Sequence, residues 1–318
     1  MKPTLYPLGT PRGEADGALS GWALASFLLV ALVWGSTWLI MKDQVAIVPP
    51  EWTVVWRYVI GAAGMFALAL IRRERLVLSA RGMKLAALVG FCQFFVNAEF
   101  VYRATHYLTS GLVAVIYALL MVPNALLSRA FLKTRISLRF LAGSLVAMAG
   151  IALLLWHEYS LKAGGPGHAG LVSGSTVLLG VALALGGVFT SSVANVLQAS
   201  KAAREQSVVA MLAWAMAMAM IADGAYAYAT VGPPTFDQPH SFWLGMAYLG
   251  LCGTALTFPL YSTLIRQMGA GRAAYNGVAV PVVAMAISTL FEHYRWTALA
   301  AGGSLLALSG LMLSLIHI

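Results

Sequence analysis

Charged side chains are scarce in this sequence. They make up 10% of its 318 residues, against about a quarter in a soluble domain. A surface that poor in charge excludes a water-soluble globule of this size. Cysteine is almost missing too. The two that occur, Cys92 and Cys252, both sit inside apolar runs, which leaves no metal-ligand spacing and no disulfide framework. The six histidines are scattered and fall mostly in connectors. No glycine-rich loop leads into Lys-Ser or Lys-Thr, so no phosphate-cradling ATP motor is encoded, and no Ser/His/Asp arrangement stands out. No metal, no cofactor and no enzymatic activity is expected.

What the sequence has in abundance is apolar length. Apolar residues reach 60%, and they recur in runs of about 20, the length that crosses hydrocarbon. The reading is an all-α polytopic membrane protein. Ten transmembrane helices are expected, near 20–41, 52–71, 83–104, 108–130, 138–156, 174–198, 207–229, 241–266, 272–290 and 296–316. Residues 1–19 are polar, and no short apolar core with a cleavage site follows them, so they are expected to stay as a cytoplasmic tail. The longest connector, 157–173, holds Gly164, Gly165, Pro166, Gly167 and Gly170 and reads as a linker between two halves, 20–156 and 174–318.

A repeat supports that division. The stretch Gly143 to Leu155 is echoed by Gly303 to Leu315, with Gly143/Gly303, Ser144/Ser304, Ala147/Ala307, Gly150/Gly310 and Leu153/Leu313 matched at one offset. A helix with a central proline, Pro123 or Pro281, precedes each copy. A fixed-offset echo marks an internal repeat. Glycines seven apart on one face also permit close helix approach, either within the molecule or in a dimer.

Orientation follows from the basic residues, which account for the net charge of +9 without any nucleic-acid partner. With the N-terminus inside, fifteen lysines and arginines fall on the cytoplasmic side and four on the other: Lys42, Arg103, Lys162 and Arg295. That bias places both termini in the cytoplasm, and the charge pattern and span count suit the bacterial inner membrane. Five spans per half then make the second half enter the membrane in the opposite sense. The ten helices are thus expected as two inverted five-helix repeats, the arrangement of carriers that alternate access around a central site.

Few ionisable residues lie within spans, and each needs a partner, a wet cavity or the interface, because a charge near the bilayer centre costs about 3 kcal/mol or more. Arg57 and Glu99 lie at equal depth, roughly 8 Å below the outer boundary at 1.5 Å per residue. They form a candidate gating ion pair, with Glu99 also a candidate proton carrier; a structural salt bridge is the plainer alternative. Arg103 is expected to snorkel to the interface and Asp223 to be solvated near the outer end of its span. Gln93 and Asn97 share one helix face and either bridge helices or line a cavity. Trp34 and Trp38 are candidates for stacking on an apolar substrate, with core or lipid contact as the alternative. Pro123 and Pro281 are expected to kink their helices and, with Tyr117, Tyr275 and Asn276, to flank the pathway. Tyr261 completes the candidate set, near Pro259.

The order of these features resembles a known family. Leu32 to Trp38 in the first span, Pro49-Pro50 and Arg57 opening the second, Ala104 to Gly111 leading into Pro123, and Gly253-Thr-Ala255, Tyr261, Gly269, Pro281 and Glu292 in the second half are together similar to the EamA-type family of the drug/metabolite transporter superfamily. The resemblance covers nearly the whole chain. It implies ten helices as two inverted repeats and transport of small metabolites, often export. Members usually carry a Glu after the proline helix in both halves. Glu292 matches, but Lys133 and Thr134 stand at the first-half position. Amino-acid exporters of the YddG type are the nearest functional model. The expectation is a secondary transporter or facilitator exporting amino acids, aromatic or other apolar ones among them. Its partners are a small-molecule substrate, the lipid bilayer and, as a coupling ion, protons; it acts as a monomer or homodimer. A nucleotide-sugar or other metabolite exchanger, a lipid-modifying membrane enzyme and a non-transporting scaffold remain alternatives.

Overall fold

A computed structural model of the chain describes residues 21–133, 136–163, 174–264, 276–292 and 296–315. Among the described residues every regular element is helical. Helix α1 (Gly21–Val45) turns into α2 (Pro50–Ile71). Pro50 opens α2, where its fixed φ suits the first helical position and its missing N–H is no loss. Helix α3 (Ala80–Tyr107) is capped by Ser79, whose hydroxyl accepts from Gly82 N at 3.1 Å. Then follow α4 (Ser110–Leu132), α5 (Leu138–Ala163), α6 (Gly174–Ala199), a single turn Lys201–Arg204, α7 (Val208–Thr230), α8 (His240–Leu264), α9 (Asn276–Phe291) and α10 (Ala298–Leu315). Ser207 caps α7, accepting from Ala210 N at 3.2 Å.

Among the described residues seven helices, α1 to α4 and α6 to α8, are long and apolar enough to cross a membrane. Helices α5, α9 and α10 contribute shorter apolar stretches, Phe140–Leu153, Ala279–Phe291 and Ala301–Gly310. The molecule is a multi-pass membrane protein. Large apolar side chains such as Leu70, Ile71, Leu145 and Leu305 are exposed, as a lipid surround permits. The expected tail and residues 164–173 of the linker lie outside the described residues. The linker's first residues, from His157, instead continue α5 to Ala163: no glycine or proline interrupts them before Gly164, so nothing stops the helix.

The interior has two main cores. One joins the end of α1 to α2, α3, α7 and α8, around Tyr58, Met65, Phe94, Leu212, Met216 and Phe242. The other joins the end of α3 to α4, α6, α9 and the α5–α10 pair, around Leu112, Ile116, Val188, Met285 and Ala307. Trp38 and Tyr117 pack against both.

Helices α5 and α10 meet through the echoed glycines. A Cβ at Gly150 would strike Ala307 N and Gly303 O, and one at Gly310 would strike Ala147 N and Gly143 O. Each side of the contact thus uses the same three matched positions. The small-residue faces are consumed within one molecule.

Among the described residues three helices depart from α geometry. Segments Gly90–Val96 of α3 and Tyr248–Leu256 of α8 widen into π-helix. Helix α4 is broken at Leu119–Leu120 into Ser110–Ala118 and Met121–Leu132. Pro123 explains the break. Its missing N–H leaves Leu119 O without its usual donor, and that carbonyl accepts instead from Val122 N at 2.9 Å, which tightens the turn. The irregularity therefore precedes Pro123. Pro281 lies inside α9, without a break in the helix.

Candidate functional site

One group of interior polar residues lies where the two cores meet. Asn97 on α3 donates from Nδ2 to Tyr117 OH and to Gly187 O, both at 2.7 Å. One amide so ties α3 to α4 and α6. One turn earlier, Gln93 Oε1 accepts from Ser191 of α6 at 3.0 Å. The Tyr117 ring lies 5.0 Å from that of Trp38 on α1. Trp38 Nε1 is a buried donor with no acceptor among the described residues. Asn124, one residue past Pro123, accepts at Oδ1 from Ser192 at 2.8 Å.

Arg57 of α2 sits beside this junction. Its Nε donates to Thr254 at 3.2 Å, and Nη1 donates to Tyr102 OH at 3.2 Å and lies 3.4 Å from Met41 Sδ. Tyr58 and Tyr102 present their rings to the guanidinium at 5.7 and 5.9 Å, a cation–π arrangement. Among the described residues no carboxylate comes within ion-pair distance of Arg57.

The expected pairing of Arg57 with Glu99 is therefore not formed. Glu99 instead pairs with Arg103, four residues on along the same helix, at 2.5 Å. Arg103 also reaches Glu51 at 2.5 Å and Tyr226 OH at 3.2 Å. Arg103 lies one helical turn on from Glu99 on the same face and reaches it, whereas Arg57 is turned to Thr254, Met41 and Tyr102. Arg103 thus does more than snorkel: it links α2, α3 and α7. Asp223 also departs from expectation. It is fully buried in α7, and neither carboxylate oxygen has a hydrogen-bond partner among the described residues. Counting residues from a helix end gives depth but not the face, and Asp223 faces inward.

The other candidates divide between neighbouring groups. Trp34 donates from Nε1 to Thr257 at 2.8 Å and stacks near Tyr261 at 5.0 Å and Phe258 at 5.6 Å, forming a small core between α1 and α8. Asn276 donates to Phe27 O at 3.0 Å and so fixes α9 against α1. Tyr275 lies outside the described residues. Trp56, not among the candidates, joins Trp52, Phe236 and Trp243 in an aromatic group at 5.4–6.1 Å.

At the same end as Glu51 and Arg103, Glu292 follows α9. It pairs with Lys42 of α1 at 2.5 Å and accepts from both Ser110 N, at 3.2 Å, and Ser110 Oγ at the start of α4. Burial pushes this carboxyl up, but the bonds from Lys42 and Ser110 outweigh it and hold it below its ordinary range.

Both halves of this bundle, residues 21–156 and 178–316, match the EamA-like transporter family. The chain belongs to that family. It is an EamA-like membrane transporter of the drug/metabolite transporter superfamily. It is 20% identical to the uncharacterized transporter YoaV of Bacillus subtilis over 291 residues, 92% of this chain and 96% of the relative. It is 32% identical to Protein PagO of Salmonella typhimurium over 135 residues; that match spans only 43% of PagO and 42% of this chain. A crystal structure of a protein 18% identical to this EamA-like chain shares its fold, with a TM-score of 0.66 over 92% of this chain and 95% of the other.

Proposed function

We propose that this EamA-like transporter exports amino acids, apolar and aromatic ones among them, by alternating access between two inverted five-helix repeats of ten spans. The observation that carries the substrate class is Arg57. A guanidinium without a counter-anion is costly inside a bundle, and a carboxylate supplied by the substrate removes that cost through a bidentate pair. Where the two cores meet, Trp38 offers a buried N–H without an acceptor and, with Tyr117, an apolar surface for a side chain. Trp34, Tyr261, Gln93, Asn97 and Asn276 are assigned to the surrounding wall, and the helix broken before Pro123 and the helix that carries Pro281 to its flanks.

Three features support the repeats. The α5–α10 contact uses matched glycines reciprocally. The two π segments contain Gly90 and Cys92 in one helix and Gly250 and Cys252 in the other, at the spacing that separates Gly143 from Gly303. Each π segment abuts a helix of the other half: Gly90 meets Ala215 of α7, and Gly250 meets Ile60 and Arg57 of α2. The bias of basic residues supports an inner-membrane protein with both termini inside, which puts Glu51, Arg103 and Glu292 at the outer end. The engagement of Glu292 by Lys42 and Ser110 argues against its service in a lipid-modifying active site.

The test is efflux from proteoliposomes loaded with a mixture of amino acids, nucleotide sugars and related metabolites, read by mass spectrometry. Selective loss of carboxylate-bearing, apolar compounds is the expected result. Loss of nucleotide sugars alone, or of nothing from folded protein, overturns the assignment.

A further inference from the structure

Asp223 holds an acid where no protein group answers it. None of its side chain is exposed, and both oxygens lack a donor among the described residues; Glu99 Oε1 is a third buried oxygen in the same condition. Leaving one such group unsatisfied costs several kcal/mol if it is charged, and an apolar residue would fill the space without that cost. Intramembrane acids that persist in such places serve ions or substrates.

The surroundings point to a particular ligand. Helix α7 packs against α2 and α3. Helix α2 brings Tyr58, with Glu51 above it and Arg57 beyond the tyrosines; α3 brings Glu99, Tyr102 and Arg103, and its π segment holds Cys92; α7 itself adds Tyr226. Of these, Glu99, Tyr58 and Tyr102 are close enough for electrostatic contact with Asp223. Among the described residues no group of three or more metal-ligating side chains occurs, and Arg103 is already shared between Glu51 and Glu99. A proton on one carboxyl oxygen removes the charge that makes this burial costly. Access is graded: side-chain exposure falls from 24% at Arg103 and 14% at Glu51 to 7% at Glu99, and the Asp223 residue is 0% exposed.

We infer that Asp223 is a proton-binding site of this transporter, loaded from the bundle end that carries Glu51, Arg103 and Glu99, with Arg103 as the gate between Glu99 and water. A proton from that side adds to a carboxylate oxygen of Asp223 and leaves to water on the other side when access alternates. Nothing else is consumed. The site rests on geometry alone; only its coupling to transport rests on the export reading above.

Two measurements test it. Infrared difference spectra of the purified protein in lipid, recorded across pH, are expected to show a protonated-carboxyl C=O band that is lost in Asp223→Asn. In unmodified protein, the apolar carboxyl reagent dicyclohexylcarbodiimide is expected to label Asp223, with labelling lost at alkaline pH. A spectrum unchanged by Asp223→Asn, or absence of label at Asp223 at every pH, overturns the site; the labelling arm stands even if the variant does not fold. Coupling is read in the proteoliposomes loaded with the amino-acid mixture. Asp223→Asn is expected to keep counter-exchange and to lose gradient-driven transport. Retention of gradient-driven transport refutes the coupling, whereas absence of exchange by wild-type protein refutes the export reading and leaves the site to its spectral test.

Discussion

Arg57 and Tyr117 set the residue-scale expectations. If Arg57 clamps a substrate carboxylate, Arg57→Gln removes a charge-assisted contact worth about 1.5–3 kcal/mol, a rise in the substrate concentration for half-maximal efflux of roughly tenfold to a hundredfold. Arg57→Lys is expected to recover little, because a point charge does not replace the planar fork. Concentration-dependent efflux checks both; unchanged half-saturation in the two variants removes Arg57 from the site. Tyr117→Phe acts differently. It takes away one acceptor of Asn97 and leaves Gly187 O in place, so the thermal stability of the detergent-solubilised protein is expected to fall by about 0.5–1.5 kcal/mol, with no shift in inside-outside orientation. These partners mark the limit of the sequence at this scale. Asn97 and Gln93 share a helix face in any reading, but which neighbouring helix meets that face is decided by rotation, which no residue count contains. The same ignorance hid the inward turn of Asp223, whereas the Arg103–Glu99 pair, four residues apart on one helix face, was open to a residue count.

At the scale of the helix, the α5–α10 contact and the Glu292 cluster make opposite kinds of prediction. Gly150→Leu or Gly310→Leu places a side chain against backbone atoms that cannot yield, so either variant is expected to lose folded, monodisperse protein in size-exclusion chromatography. Gly302→Leu, in the same helix but facing open space, is the control and is expected to behave as wild type. Glu292 predicts a pH effect. Because its folded carboxyl is held below the ordinary value of 4.5, the tie between α1, α4 and the end of α9 is fully present above that value and is lost as pH falls through the lower folded one. The difference in melting temperature between wild type and Glu292→Gln should be constant from pH 8 to 5, in round terms, and shrink in stronger acid. A difference that shrinks instead on going alkaline would contradict the assignment. Helices α5 and α10 were legible in advance, because their glycines echo at a fixed spacing. The π segments were not: their glycines lie against Ala215 and Ile60 of another helix, a contact that no sequence pattern records.

For the whole molecule, the positions of the apolar runs were readable because hydrocarbon length admits few alternatives. What remained unreadable was how the runs partition into two cores that share Trp38 and Tyr117. The inverted arrangement is checked by cysteine accessibility. With Cys92 and Cys252 replaced, single cysteines at Glu74 and Arg129 should react with impermeant reagent only from the cytoplasmic face, and one at Asp237 only from the other. Reaction of all three from one side rules the arrangement out.

The glycine-to-backbone meeting of α5 with α10 carries a mechanical consequence. Where two main chains touch without side chains between them, neither can slide without collision, yet both can turn about the point of touch. If one helix belongs to each half, the halves are joined there as two blades by a pin. Displacement is then smallest at Gly150 and Gly310 and grows with distance from them, so the largest strokes fall to the distant helices that carry Arg57, Arg103 and Asp223.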